Sequence, residues 1–203
     1  MSFSRFVTSL CLLAVAILPV LSQAGVGHPL DPLDKAEIEA AVATLKTEKK
    51  AMDESRFYTV VLNEPPKDEV LSYKPGAAFR REAFVIVYDR AANRMSEAIV
   101  DLKTRRVVSW KEVKGAQPMM MNEDFELAVK ITAENTQWRE ALRKRGITDP
   151  ENVQIDPWAP GWFGFSDESN IRLARGIPFY RGTGSNAYGR PIDGLTAYID
   201  LTN

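Results

Sequence analysis

The pattern of apolar and polar positions divides the chain into two successive stretches with the same order of elements. An Asp34-Lys35-Ala36-Glu37 capping box, followed by apolar residues at helical spacing, predicts a helix over residues 35–50. Strand-forming runs then occupy residues 57–62, 69–73, 83–88, 97–102 and 106–110. The short polar connections between the later runs are typical of hairpins, so the first stretch predicts one helix and an antiparallel meander.

The same order returns after the connector Gly115-Ala116-Gln117-Pro118. Asn122 is placed to cap a helix, and a second helix over residues 136–145 ends before Gly146, which suits a C-terminal cap. Strand signals follow at residues 152–156, 171–181 and 195–201. The whole pattern therefore predicts an α+β protein of two consecutive domains, each with a helix packed on an antiparallel sheet.

The last strand signal, 195–201, ends two residues before the sequence does. A strand in this place normally enters a hairpin, which leads us to expect an incomplete polypeptide. An edge strand that ends the domain is the alternative.

The first 24 residues predict a secretory signal peptide. Arg5 precedes an apolar run over residues 6–21, and Ser22-Gln23-Ala24 offers small residues at the two positions that a signal peptidase reads. An N-terminal membrane anchor is the alternative, but Pro19 and the small residues favour cleavage. We therefore expect a secreted or periplasmic protein with no membrane segment after cleavage.

Composition excludes several classes of function. The chain has 26 basic and 27 acidic residues, whereas a nucleic-acid-binding face needs a basic excess, so no nucleic-acid partner is expected. The one cysteine, Cys11, lies in the predicted signal peptide, so the mature chain forms no internal disulfide. The one histidine, His28, lies in a proline-stiffened segment before the first helix and cannot build a three-histidine metal site. We expect no metal or cofactor on this chain.

Motifs for nucleophilic or nucleotide-dependent chemistry do not occur in the sequence, which has no Gly-x-Ser-x-Gly elbow, P-loop or Rossmann fingerprint. A hydrolase that uses paired acids, drawn from residues such as Asp156, Asp193 and Asp200, stays an open alternative, although nothing in the sequence selects a pair.

An aromatic segment over residues 156–165 is more informative, because two tryptophans and two phenylalanines alternate with proline and glycine. A loop of this composition either fills a core or presents an apolar wall to a ligand, and composition alone favours the core.

Eight segments together carry a family resemblance. They are His28-Pro-Leu-Asp-Pro-Leu33, Phe84-Val-Ile-Val-Tyr-Asp89, Val107-Val-Ser-Trp110, Gln117-Pro118, Lys144-Arg-Gly-Ile-Thr-Asp149, Val153-Gln-Ile-Asp-Pro-Trp158, Gly161-Trp-Phe-Gly164 and Arg190-Pro-Ile-Asp-Gly-Leu195. In this order and spacing they resemble the N-terminal portion of copper amine oxidases, the quinone-dependent primary amine oxidases. The resemblance implies two cystatin-like domains, an N2-like domain at 28–115 and an N3-like domain at 119–203.

The resemblance also implies an activity for the complete enzyme, which converts primary amine, oxygen and water to aldehyde, ammonia and hydrogen peroxide with copper and topaquinone. It places both groups in a following catalytic domain that this sequence does not contain. The family's precursor tyrosine sits in an Asn-Tyr context, whereas this chain has Asn186-Ala187-Tyr188. The implied role is therefore non-catalytic, with the catalytic domain as partner, in cis or as a separate chain.

In this family the second small domain helps to wall the channel through which the primary amine substrate enters. By resemblance, Phe125, Trp158 and Tyr188 match wall positions, with Pro157 beside them, and these four are candidate substrate-channel residues. Core packing is the alternative for each. A different functional class, a free-standing secreted cystatin-like binding module, is supported by the aromatic segment.

Overall fold

The computed structural model describes residues 27–48 and 50–202, and the predicted signal peptide with Cys11 lies outside them. Two α+β units follow each other along the chain, and each packs helix against an antiparallel sheet. The predicted fold class is therefore confirmed. Within the described residues, no helix is both long and apolar enough to cross a membrane.

The first unit is a four-stranded meander covered by one long helix. Its elements are α1 (Lys35–Thr47), β1 (Arg56–Leu62), α2 (Lys67–Ser72), β2 (Glu82–Asp89), β3 (Arg94–Asp101) and β4 (Arg106–Glu112). The strands pair antiparallel in the order β1-β2-β3-β4, and α1 contacts all four. Alternate residues of β2 and β3 meet α1 in the core, which comprises Ala41, Leu45, Ala51, Ala83, Val85, Val87, Ala98 and Val100.

The predicted capping box starts α1 and also joins it to the sheet. The Glu37 N–H donates to Asp34 Oδ1 at 2.8 Å, and the Asp34 N–H donates to Glu37 Oε2 at 3.0 Å. Buried Arg81 donates from Nε to Glu37 Oε1 at 2.7 Å. This hydrogen bond outweighs burial and holds the pKa of Glu37 below its ordinary value.

Two predictions in the first unit need correction, and the first concerns the end of α1. The helix ends at Thr47 rather than at residue 50. The main-chain oxygen of Leu45 accepts hydrogen bonds from the N–H groups of both Lys50 and Ala51. The chain turns back at this point because Ala51 is buried in the core.

The second correction concerns residues 69–73, where a predicted strand is wrong because α2 occupies this part of the chain. Pro66 comes directly before the helix, and Asp68 and Glu69 lie in its first turn. Proline is favourable at a helix start, and carboxylates stabilise the positive end of the helix dipole. No residue of α2 is buried, so local chemistry rather than an apolar pattern forms it.

The second unit packs two helices on a narrower sheet. Its elements are α3 (Asn122–Glu134), α4 (Thr136–Arg143), β5 (Val153–Trp158), β6 (Leu173–Tyr180), β7 (Arg190–Pro191) and β8 (Ala197–Asp200). Strand β6 is central, with β5 on one side and the short strands β7 and β8 end to end on the other. The core contains Ala128, Trp138, Leu142, Ile147, Ile155, Ala174, Ile192, Ile199 and Leu201.

The helix boundaries of the second unit differ from the predictions in two places, and one of them is that α4 ends at Arg143 rather than at residue 145. Asn122 is the first residue of α3 rather than its cap, and the Asp124 carboxylate accepts a hydrogen bond from the Met121 N–H at 2.9 Å. Gly146 has a φ of +77°, the left-handed conformation that lets a glycine end a helix such as α4. The signal over 195–201 yields only β8, and β7 was not predicted.

A buried ion pair lies where the two units meet. Arg172 and Asp124 are each 2% exposed. Arg172 donates to the Asp124 carboxylate from Nη2 at 2.6 Å and from Nε at 3.2 Å. It also donates to the main-chain oxygens of Pro118 and Met119, so its charge and most of its donors are satisfied.

Two tyrosines of the first unit contact this ion pair. The Arg172 guanidinium lies 5.3 Å from the ring centroids of both Tyr58 and Tyr88. The Tyr58 hydroxyl accepts a hydrogen bond from Arg172 Nη2 at 3.2 Å and donates to Asp124 Oδ2 at 3.4 Å. Burial raises the pKa of Tyr58 to about 12, so this hydroxyl keeps its proton at neutral pH.

The ion pair makes stability depend on pH. Burial favours the protonated form of Asp124, but the hydrogen bonds from Arg172 and Met121 hold its pKa below the ordinary value of 3.8. Because the folded-state pKa is lower than that of the unfolded chain, the contribution of Asp124 is complete at neutral pH. It is lost as the pH falls through the folded-state pKa.

We predict that Asp124→Asn lowers the free energy of unfolding by about 3–5 kcal/mol at pH 7, because it leaves a buried guanidinium beside a neutral amide. Urea denaturation at several pH values measures the change. The difference from wild type should narrow as the pH falls below 3.8, because the unfolded wild-type chain then takes up a proton at Asp124 while the folded chain does so only at its lower pKa. Asp53→Asn, which breaks an exposed pair with Lys46, is the control and should have no measurable effect. If Asp124→Asn and Asp53→Asn lowered the free energy of unfolding equally, the stabilising role given to the Asp124–Arg172 ion pair would be wrong.

Candidate functional site

Phe125 and Pro157, two of the predicted channel residues, line one groove between α3 and β5. The groove has a volume of about 500 Å³. Its other lining residues are Glu126, Val129, Lys130, Gln154, Ile155 and Asp156. Phe125 is 36% exposed whereas Pro157 is buried, so the Phe125 ring is the aromatic surface that a ligand in this groove could reach.

Strand β5 places its side chains on two faces of the second sheet. Ile155 and Pro157 are buried on the side of the helices, whereas Asp156 and Trp158 point to the opposite side. Proline cannot donate to a strand ladder and is tolerated in edge strands. Strand β5 is such an edge, because it pairs with β6 alone among the described strands.

Trp158 therefore lies on the face away from the helices, next to Pro157 in sequence but not in the groove. It is 58% exposed, and its indole Nε1 donates to Asp156 Oδ2 at 2.8 Å. In the β5–β6 register it stands opposite Arg175. The Asp156 hydrogen bond orients the indole, so the ring is an exposed flat surface with a defined direction.

Tyr188 lies on the same side of the sheet as Trp158. It is 54% exposed and packs edge to face on Phe179, with ring centroids 5.1 Å apart. Phe179 and Arg175 are an even number of residues apart on β6 and so share one face. The Tyr188 N–H donates to the Asn186 side chain at 3.0 Å, which holds the loop in place.

We call the exposed residues Trp158, Ile177, Tyr188 and Tyr198 the outer face of the second sheet. The segment 159–165 continues it, with Trp162, Phe163 and Phe165 also exposed. The interpretation of this aromatic segment as core is therefore wrong. Single, scattered apolar residues are normal on a protein surface, but here several exposed apolar side chains lie on one side of the unit.

Sequence reasoning missed Arg175, Ile177 and Tyr198. The Arg175 guanidinium lies 5.0 Å from the Tyr198 ring centroid, and its Nη2 donates to Glu168 Oε1 at 2.9 Å. This ion pair links the end of the aromatic segment to the sheet. The sequence did hold a signal for Ile177, because side chains alternate between the two faces of a strand. Along β6 the even-numbered residues 174, 176 and 178 are buried, and Ile177 points outward.

Two of the three acidic residues considered for hydrolysis, Asp156 and Asp200, serve local structure. Asp156 accepts from the Trp158 indole, and Asp200 accepts from the Thr202 N–H at 2.8 Å. In the sheet register Asp156 faces Ile177 and Asp200 faces Leu173, so the two are separated by the central strand. The structure therefore gives no support to a catalytic pair made of these two carboxylates.

The described residues do not fit a copper site. His28, the one imidazole, accepts a hydrogen bond at Nδ1 from the Leu30 N–H at 3.1 Å and packs edge to face on Tyr73. A copper site of the imidazole type needs several such nitrogen ligands. Within residues 27–48 and 50–202, no group of three or more His, Cys, Asp or Glu residues is arranged to hold a metal.

Two family models match the chain in sequence order. Residues 28–113 match the copper amine oxidase N2 domain, and residues 123–203 match the copper amine oxidase N3 domain. Each match covers one of the two α+β units described above.

Curated relatives are named as amine oxidases. A primary amine oxidase from Arthrobacter sp. (strain P1) is 38% identical over 179 residues, which are 87% of this chain and 27% of that protein. A primary amine oxidase from Klebsiella aerogenes is 33% identical over 180 residues, 86% of this chain and 23% of that protein. A histamine oxidase from Arthrobacter globiformis is 32% identical over 188 residues, 90% of this chain and 27% of that protein.

A solved structure has the same fold. The copper-containing benzylamine oxidase from Hansenula polymorpha aligns with a TM-score of 0.67 and 20% identity, over 81% of this chain and 27% of that one. The chain spans about a quarter of the length of the curated relatives named above. The order of the two domain matches, together with these relatives, shows that the chain belongs to the copper amine oxidase family and carries its N2 and N3 domains.

Proposed function

We propose that residues 28–203 form the non-catalytic N-terminal part of a primary amine oxidase and help to wall the channel through which its amine substrate enters. The observation that carries the proposal is the set of exposed aromatic rings on the second unit, in a family whose named members oxidise amines. The oxidation of a primary amine to aldehyde, ammonia and hydrogen peroxide would then take place outside these residues.

The chemistry of the exposed rings suits an amine. A protonated amine is attracted to the negative face of an aromatic ring, and its carbon chain gains from apolar contact. Phe125 offers such a ring at the groove above Pro157, and Trp158 and Tyr188 offer two more on the outer face. These side chains would bind and guide the substrate, and none of them would take part in the reaction itself.

Copper and topaquinone belong in this proposal to the catalytic domain of the complete enzyme, which supplies the redox chemistry when it carries them. In the curated relatives the N-terminal domains are part of one long polypeptide, so the partner of this chain is proposed to be such a domain in cis. The proposed contribution of this chain is structural and selective, because it shapes the path of the amine.

A chimeric enzyme tests the channel assignment. Residues 27–202 replace the matching segment of the Arthrobacter primary amine oxidase, and amine-dependent peroxide release gives kcat and KM. We predict that Trp158→Ala and Phe125→Ala each raise the KM for an arylalkyl amine about three- to tenfold, because each removes an aromatic contact of roughly 1 kcal/mol. The kcat for methylamine should not change, because the smallest amine makes the fewest wall contacts.

Leu71→Ala is the matched control for these variants, because Leu71 is a 75% exposed apolar residue on α2 of the first unit. It should leave every KM unchanged. If the aromatic variants and the control give the same KM for all amines, the channel assignment is wrong while the family membership stands.

We also propose that the protein is exported, to the periplasm or outside the cell. Support comes from the sequence of residues 1–24, which lie outside the described part of the chain. A free-standing secreted binding module is the second candidate function. The exposed rings of the aromatic segment favour it, since an apolar patch of this kind is typical of an interaction surface.

We predict that the purified chain, supplied with Cu²⁺, oxygen and a panel of primary amines, releases no peroxide above the Cu²⁺ background. It has one histidine and no Asn-Tyr pair, so it lacks both the usual imidazole ligands and the family's precursor sequence. A coupled peroxidase assay measures the rate. Amine-dependent peroxide from this chain alone would overturn its non-catalytic role.

A further inference from the structure

The aromatic segment 159–165 has no buried residue that could hold it in place. Its three large aromatic side chains are each more than half exposed, namely Trp162, Phe163 and Phe165. Packing in the core therefore does not fix the position of these rings. Their position depends on the two ends of the segment, which are Trp158 at the end of β5 and the short 3-10 turn Ser166–Glu168.

Both ends of the segment lie next to one residue, Arg175 of the central strand β6. Trp158 stands opposite Arg175 in the β5–β6 register. Glu168 accepts a hydrogen bond at Oε1 from Arg175 Nη2 at 2.9 Å, and only 14% of its side chain is exposed. Because this ion pair is mostly withdrawn from water, salt screens it less than a pair on the surface. Arg175 therefore closes the base of the loop that carries the three rings.

A second contact constrains the guanidinium of Arg175. Tyr198 of β8 stands opposite Arg175 on the other side of β6, and its ring centroid lies 5.0 Å from the guanidinium. Arg175 Nε and Glu168 Oε2 are both buried, and neither has a hydrogen-bond partner among the described residues. The ion pair is thus one bond short of the two-bond fork that a guanidinium and a carboxylate can form. Glu168 alone therefore does not set the position of the guanidinium, and the Tyr198 ring is its other constraint.

We propose that Arg175 is a positioning residue of the amine channel, and that it holds Glu168 so that the rings of segment 159–165 extend the channel wall beyond Trp158. This role rests on the channel function proposed above and adds a substrate class to it. A wall lengthened by three aromatic rings favours primary amines with an aromatic or long apolar tail, because a small amine has no tail to contact the rings. Arg175 would touch no reacting atom, and its effect would pass through the segment.

The first test is limited proteolysis of the purified chain with chymotrypsin, which cuts after aromatic side chains in exposed, mobile loops. We expect Arg175→Lys and Glu168→Ala each to raise the rate of cleavage within residues 162–165 at least threefold, with the sites identified by mass spectrometry. Lysine keeps the charge of Arg175 but lacks the planar group that contacts a carboxylate and a ring together. Glu168→Ala removes the same contact from the turn, so the test holds even if Arg175→Lys does not fold.

Arg190→Lys is the matched control, because Arg190 also lies over a tyrosine ring of this sheet, 5.7 Å from the centroid of Tyr180. It makes the same chemical change at a place that does not contact the end of the segment. The rate of cleavage within residues 162–165 should therefore equal that of the wild type.

The second test is steady-state kinetics of the same variants in the chimeric enzyme described above. The KM for an arylalkyl amine should rise at least threefold in Arg175→Lys and in Glu168→Ala, with kcat and the KM for methylamine unchanged. The two increases should not multiply in the double variant, because both substitutions break one contact. A general loss of structure would instead lower kcat for every amine.

Three results would overturn the proposal. Unchanged cleavage within residues 162–165 in both variants would mean that Arg175 does not position the segment, whatever the channel does. Faster cleavage with an unchanged KM, in a chimera where Trp158→Ala raises the KM, would remove the segment from the wall and leave the channel assignment intact. If Trp158→Ala and Phe125→Ala also leave the KM unchanged, the channel assignment fails and the positioning role fails with it.

Discussion

A buried guanidinium needs an opposite charge nearby and acceptors for its N–H groups. Three parts of the chain supply these to Arg172. Asp124 supplies the charge from the first turn of α3, the connector supplies main-chain oxygens, and Tyr58 supplies a ring and a hydroxyl from the first unit. Removal of Asp124 would leave a buried charge uncompensated, which costs far more than a surface pair is worth. The start of α3 is thereby tied to both the second sheet and the first unit.

The candidate surfaces depend on that anchor. Phe125 directly follows Asp124, so the ion pair that fixes the start of α3 also fixes the ring beside Pro157. Farther along, Ile131 and Thr132 of α3 line a second groove, which lies between the helices and residues 195–199 at the opposite edge of the same sheet. The outer face lies on the side of the sheet away from the helices, where alternation along β5 and β6 directs Trp158 and Ile177. One helix and one sheet thus create three separate surfaces for contact.

Much of this architecture was predictable because its signals are local. The capping box of α1, the meander and the glycine after α4 were all readable from neighbouring residues. The contact of Arg172 with Tyr58 was not, since it joins residues far apart in the sequence and no spacing rule links them. The resemblance named Phe125, Pro157, Trp158 and Tyr188 as channel residues, and the structure brings only the first two into one groove. Composition could not tell that the aromatic segment 156–165 is exposed. The short helix α2 was not predicted because it has no buried face, and only the proline before it and the acids of its first turn favour it.

The central claim is that these two domains serve an amine oxidase. The most direct test is the intact mass of the native polypeptide that contains residues 28–203, with a redox-cycling quinone stain on the same band. The account predicts a stained polypeptide about four times as long as this chain, since the chain spans about a quarter of the length of its curated relatives. An unstained band at the mass of this chain after loss of residues 1–24 would contradict it and would favour the free-standing binding module.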